Sequence, residues 1–145
     1  VDGDYILWKD TISIGCAVAT QKGLYVPVLR DLKQDSLLDI TKKLQTIVQK
    51  ARTNTLEVND LNGGTFSVTN PGMYGSLHSQ PIINQPQVAI LSIGTIQERL
   101  TQNSSGLKNI PFCQIGLTFD HRVLDGEGGA RFLKVVKNFL ENFND

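Results

Sequence analysis

Cysteine is scarce in this chain of 145 residues, and the two present, Cys16 and Cys113, lie far apart with no CxxC spacing and no neighbouring histidine. Zinc ligation and a disulfide framework are therefore not what organises it. Both cysteines sit in apolar strand patterns and are expected as reduced, packed small hydrophobes. There is no surplus of charge either: fourteen Lys and Arg balance fourteen Asp and Glu. That balance removes the general electrostatic case for nucleic acid or an anionic membrane surface. No apolar run approaches the ~20 residues of a membrane span, and no signal-peptide pattern opens the chain. Internal repeats, low-complexity stretches and Ala/Pro-rich linkers are also missing. What remains is a composition 40% hydrophobic and 19% charged, enough for one domain with a sizeable core. A cytoplasmic or organelle-matrix setting fits.

Periodicity outlines the elements. Ile12, Ile14, Cys16 and Val18 alternate as a strand, Leu24 to Arg30 read as a second, and Gln21-Lys22-Gly23 offer a tight hairpin turn between them. Ser36 is the N-cap expected for a helix with Leu37, Ile40, Leu44, Ile47, Val48 and Ala51 on one stripe, ending near Asn54. Asn62-Gly63-Gly64 turn into a strand from Thr65 to Thr69, which Asn70-Pro71-Gly72 close. Val88 to Ile93 suit a buried strand. Between them the loop Met73 to Gln87 is long enough to be functional or interfacial. Its His78 has no nearby carboxylate and reads as an ordinary loop residue. Thr101 to Gly106, rich in Ser, Asn and Thr, read as an exposed linker between strands.

The most informative stretch is Asp120-His121-Arg122-Val123-Leu124-Asp125-Gly126. Before it, Ile115, Leu117 and Phe119 alternate as in a strand with one buried face. After it, Ala130, Leu133, Val136, Leu140 and Phe143 repeat at helical spacing. His121 is thus expected at the C-terminal end of a strand, held by the sheet yet free of the ladder. Asp125 is the N-cap of a helix starting around Glu127. Gly126 suits a sharp turn, and Gly128 and Gly129 a close approach in the first helical turn. In the strand Thr65 to Thr69, period two sends Phe66 and Val68 to one face and the hydroxyls of Thr65, Ser67 and Thr69 to the other.

HxxxDG at a strand-to-helix junction resembles the active-site signature of CoA-dependent acyltransferases. Three further stretches, Gly23 to Asp31, Gly64 to Asn70 and Pro81 to Leu91, resemble motifs of the dihydrolipoyl acyltransferases of 2-oxo acid dehydrogenase complexes, in the family's order. The resemblance runs from Val1 to Asp145. It implies an α+β fold, a chloramphenicol acetyltransferase-like α/β two-layer sandwich whose mixed sheet has helices on one side. Residues 1–145 then form the acyltransferase catalytic domain, expected to lack its N-terminal portion. The lipoyl group would be carried on a separate domain outside this chain.

The chemistry implied by the resemblance is attack by a thiol on a thioester, with coenzyme A as substrate and no metal. His121 would accept the thiol proton and Thr69 would donate to the oxyanion, with Ser67 as second choice on the same face. Asp125 would form an ion pair with an arginine upstream of Val1; otherwise it caps the helix or pairs with Arg122 or Arg131. Homotrimers, with His121 and Thr69 from neighbouring chains, would assemble into a larger core that engages the 2-oxo acid dehydrogenase and dihydrolipoyl dehydrogenase components. The competing readings are a non-catalytic scaffold of such a complex and a chloramphenicol acetyltransferase. The acyl group is open between acetyl, succinyl and branched-chain, and Thr69-Asn70 with Pro81 to Asn84 lean toward succinyl. The bacterial cytoplasm or the mitochondrial matrix follows as the setting.

Overall fold

The predicted first hairpin forms, but each of its strands breaks in two. In the computed structural model, which describes residues 3, 5–103 and 106–143, the chain runs through β1 (Ile14–Cys16), β2 (Val18–Thr20), β3 (Gly23–Tyr25) and β4 (Val28–Leu29). β1 pairs antiparallel with β4 in the main sheet, while β2 and β3 form a separate two-stranded hairpin. The break falls where the ladder cannot continue. Pro27 has no N–H to give, and its carbonyl accepts from Cys16 N at 2.9 Å, while Ala17 N turns instead to Val68 O at 2.9 Å. The hairpin turn is closed by Thr20, whose hydroxyl donates to Gly23 O. Gly23 itself adopts φ 131, open to glycine alone.

Three further strands, β5 (Phe66–Thr69), β6 (Ala89–Ile93) and β9 (Ile115–Phe119), complete a sheet of order β4-β1-β5-β6-β9. β1, β5 and β6 run parallel, and the two outer strands β4 and β9 run antiparallel to their neighbours. The registers put Ile14, Phe66, Ala89 and Phe119 on one face and Gly15, Ser67, Ile90 and Thr118 on the other. Both helices cover the first face. α1 (Leu37–Arg52) packs Ile47 and Val48 with Leu29, Leu32, Ile14 and Cys16. Along α2 (Gly126–Glu141), Phe132 lies 5.6 Å from the Phe66 ring. This is the expected mixed sheet with helices on one side.

Local chemistry explains where the helices start. The Ser36 hydroxyl accepts from Asp39 N at 3.2 Å, and the Asp39 carboxylate accepts from Ser36 N at 3.3 Å, a reciprocal capping box. At the other end Asn54 takes a left-handed conformation, φ 58, as residues just past a helix often do. The apolar stripe of α1 is only partly used: Ile47 and Ala51 are buried, whereas Leu37 and Leu44 face outward. Cys16 is half-buried, and burial pushes its thiol up to about 11. Cys113 departs from expectation, because it lies exposed in the connection between two strands.

Of the expected linker, Thr101 to Asn103 and Gly106 belong instead to two paired strands, and Ser104 and Ser105 lie outside the described residues. β7 (Gln97–Asn103) and β8 (Gly106–Phe112) pair antiparallel along their whole length, apart from the main sheet. This pairing is held by contacts that hydrophobic periodicity does not report. The Arg99 guanidinium lies 4.4 Å from the centre of the Phe112 ring, and Asn109 donates to Glu98 at 3.1 Å. Leu100 and Leu107 are exposed, so the hairpin buries no face and shows no alternation of apolar and polar residues.

Candidate active site

The turn that carries His121 is built from its neighbours. Asp120 still touches the sheet, its N–H donating to Val88 O at 2.8 Å. Its own carbonyl then accepts from Val123 N at 3.0 Å and Leu124 N at 3.1 Å, which closes the turn. The Asp120 carboxylate accepts from Arg122 N at 3.0 Å, from Arg122 Nε and from Arg122 Nη2 at 2.6 Å. These bonds from the Arg122 side chain hold the carboxyl of Asp120 down to about 2. His121 lies between the two residues, exposed, with its ring 5.6 Å from that of Phe119. The imidazole has no hydrogen-bond partner among the described residues, so both ring nitrogens are available.

Asp125 is the N-cap of α2. Its carboxylate accepts from Gly128 N at 2.7 Å, joining the negative end of the side chain to the positive end of the helix. Neither local arginine pairs with it: Arg122 is bound to Asp120 and Arg131 to Glu127. Gly128 and Gly129 make the close approaches expected of them. A Cβ on Gly129 would lie 2.6 Å from the Phe119 ring, and one on Gly128 would lie 2.7 Å from the Leu124 side chain. Gly126 meets nothing within 4 Å, so no close contact requires glycine there.

Thr69 occupies the C-terminal end of β5 and lines a cleft of about 310 Å³ with Val18, Leu24, Arg52, Asn70 and Tyr74. Ser67, on the same face, has no exposure at all, and its hydroxyl donates to Gln87 Oε1 at 2.6 Å. That bond occupies the Ser67 proton inside the fold, whereas Thr69 lines an open cleft. Gln87 escaped the sequence reading. It ties the long loop to β5, and the only signal in the sequence was its place just before a buried strand. By sequence Arg122 belongs to the signature stretch and is one possible partner for Asp125; the structure bonds it to Asp120 instead. His78 is exposed on the loop.

One chain does not bring His121 and Thr69 together. Thr69 is opposite Ser92 on β6, whereas Asp120 is bonded to Val88. Four residue steps from Val88 to Ser92 separate these levels, about 13 Å along the strands, and β6 also stands between β5 and β9, adding about 10 Å across the sheet. His121 and Asp125 share one end of the sheet, and Thr69 lies at the other. Among the described residues, no three or more His, Cys, Asp or Glu side chains gather to hold a metal ion. No described helix is long and apolar enough to cross a membrane.

A five-stranded mixed sheet with two helices on one face, and a histidine on the turn into the second, places the chain in the chloramphenicol acetyltransferase-like fold class. A chloramphenicol acetyltransferase shares the fold at TM-score 0.54, with 19% identity over 91% of this chain and 63% of its own. The model of the 2-oxoacid dehydrogenases acyltransferase (catalytic domain) family matches residues 1–145, and the chain belongs to that family. It is 44% identical over 142 residues to the dihydrolipoyllysine-residue succinyltransferase component of the 2-oxoglutarate dehydrogenase complex of Rickettsia typhi, covering 98% of this chain and 36% of that protein. The chain thus spans about a third of the length of the curated relatives it matches. Two solved structures superpose at TM-score 0.90, each over 97% of this chain and 58% of its own. One is a dihydrolipoamide acetyltransferase of Azotobacter vinelandii, 32% identical. The other, 31% identical, is the cubic core of a pyruvate dehydrogenase multienzyme complex.

Proposed function

We propose that this domain transfers an acyl group between a dihydrolipoyl thiol and the thiol of coenzyme A, with His121 as general base and Thr69 as oxyanion donor. The observation that carries the reading is a shared spacing. The Azotobacter vinelandii structure was determined to study the catalytic role of a serine, a histidine 52 residues after it and an asparagine four residues further on. Thr69, His121 and Asp125 stand at those same intervals. The hydroxyl is retained as threonine, and a carboxylate replaces the amide at the helix N-cap.

The chemistry suits these groups. A free imidazole titrates near ~6.5 and a thiol near ~8.5, so imidazole takes a thiol proton at a cost of about 3 kcal/mol. The thiolate attacks the thioester carbonyl, the carbonyl oxygen gains the charge, and a threonine hydroxyl donates a hydrogen bond to it. Collapse of the tetrahedral intermediate expels the second thiolate, which recovers the proton from the imidazolium. Because His121 and Thr69 lie at opposite ends of the sheet, each site is formed between two copies, His121 from one and Thr69 from the other. A trimer supplies three such sites, and trimers build the larger core that serves the dehydrogenase and dihydrolipoyl dehydrogenase components. The acyl group is succinyl, as in the Rickettsia typhi relative, and the setting is a bacterial cytoplasm or the mitochondrial matrix.

The test is thioester exchange between acetyl-, succinyl- and isobutyryl-CoA and dihydrolipoamide, using the intact protein that contains this segment beside its His121→Ala form. Transfer that prefers the succinyl donor and is lost in the variant supports the reading. Absence of transfer with every donor, in a properly assembled protein, leaves a scaffold.

A further inference from the structure

We propose that Asp120 and Arg122 are positioning residues for His121, a clamp that closes across the imidazole-bearing residue and aims it at the thiol. The proposal rests on His121 being the general base. A base must be held within about 0.5 Å of its productive place, yet the imidazole of His121 takes no hydrogen bond from the described residues. One ring contact, to Phe119, supports it from the side. Phe119 is itself seated against Gly129, in the first turn of α2. What remains to fix His121 is its backbone, and that lies between the two ends of the clamp.

Asp120 is the hub. Its N–H donates to Val88 O just before β6, its carbonyl takes two turn amides, and its carboxylate takes the Arg122 amide and, in a bidentate fork, the guanidinium. The fork joins residues i and i+2 over His121, so the three-residue backbone is held tight. Stability is not the obvious purpose, since the Arg122 side chain is 70% exposed and exposed ion pairs contribute little to folding. A bidentate pair does give geometric definition, and definition is what an otherwise unsupported base requires. Arginine suits the task better than lysine, whose ammonium cannot form the fork.

The experiment compares Asp120→Ala, Asp120→Asn, Arg122→Met, Arg122→Lys and His121→Ala in the intact, assembled protein, measuring kcat and KM for the acyl-CoA donor that the wild type uses. Misplacing the base should lower kcat about 100-fold in Asp120→Ala and about 10-fold in Arg122→Met, with KM within about twofold of wild type. Asp120→Asn keeps an acceptor oxygen for the Arg122 amide and should fall between Asp120→Ala and wild type. Arg122→Lys keeps the charge without the fork and should recover only part of the loss. Unchanged kcat in Asp120→Ala and Arg122→Met overturns the proposal, as does a loss that appears in KM alone. Folding is checked by melting temperature. Arg122→Met should melt with the wild type, and a fall in melting temperature that accounts for its lost activity also overturns the clamp. If His121→Ala transfers at the wild-type rate, the reading of the active site fails instead, whatever the clamp variants do.

Discussion

The two ends of the sheet carry the two halves of the proposed site, and they are built differently. At the β9 end, His121 is placed by a run of seven residues, Asp120 to Gly126, whose hydrogen bonds are mostly internal and whose last step caps α2. At the β5 end, Thr69 is placed by the sheet itself, and its cleft is assembled from the β2–β3 hairpin, the end of α1 and the turn after β5. A local device can be moved by a single neighbouring substitution. A composite cleft depends on the packing of several elements and is harder to misplace but slower to read.

The strongest way to break this comparison is to separate its halves. Thioester transfer should fall by about 100-fold to 10,000-fold in His121→Ala. Co-assembly of His121→Ala with Thr69→Ala should restore activity in about a quarter of sites if each site joins two copies. No recovery in a verified mixed assembly would mean that both groups act within one chain, against the register of the sheet.

Thr69→Ala alone should lower kcat about 100-fold or more, with little change in KM, because the hydroxyl acts on charge that develops only after attack. A change confined to KM would assign Thr69 to binding. Next in size, Ser67→Ala should destabilise the domain by about 1–3 kcal/mol, because Gln87 Oε1 would lose its buried donor. Equal kcat per folded site in that variant would separate Ser67 from Thr69. Asp125→Ala should cost about 1 kcal/mol through the lost helix cap, measured by denaturant unfolding.

Acid sharpens the comparison least but with a definite sign. The Asp120 carboxyl is held down to about 2 by the bonds from Arg122. The small contribution that this exposed pair makes to folding is complete above the ordinary carboxyl range near ~3.9 and is lost as pH falls through about 2. Removing the fork with Arg122→Met should raise the Asp120 titration toward the ordinary carboxyl range, followed by the chemical shift of the Asp120 side-chain carboxyl. An unchanged Asp120 titration in the variant would contradict the assignment.

How legible these regions were follows from the range of their interactions. The His121 junction, the Asp125 cap and the Ser36 cap all act within a few residues, so residue type and spacing are enough to place them, while the reciprocal bond from Asp39 comes from the structure. The β7–β8 hairpin was missed although its residues are close in sequence. It buries no face, and period-two reading detects burial. The first hairpin was seen but not its division, since the exit of β2 and β3 depends on Ala17 bonding to Val68 far along the chain. The sequence leaves Arg122 as one of several possible partners for Asp125, and the structure gives it to Asp120, because the choice between the two aspartates is one of angle and not of spacing.

Sequence alone therefore determined the helices and their caps, the strand-to-helix junction that carries His121, and the residue types available for acyl transfer, because each is written in side-chain chemistry over less than a few turns of chain. Only the tertiary structure decided that Ser67 is sealed against Gln87 while Thr69 opens on a cleft, and that His121 and Thr69 lie at opposite ends of the sheet. Those outcomes depend on strand order and direction, which hydrogen bonds between distant segments choose and no local pattern specifies.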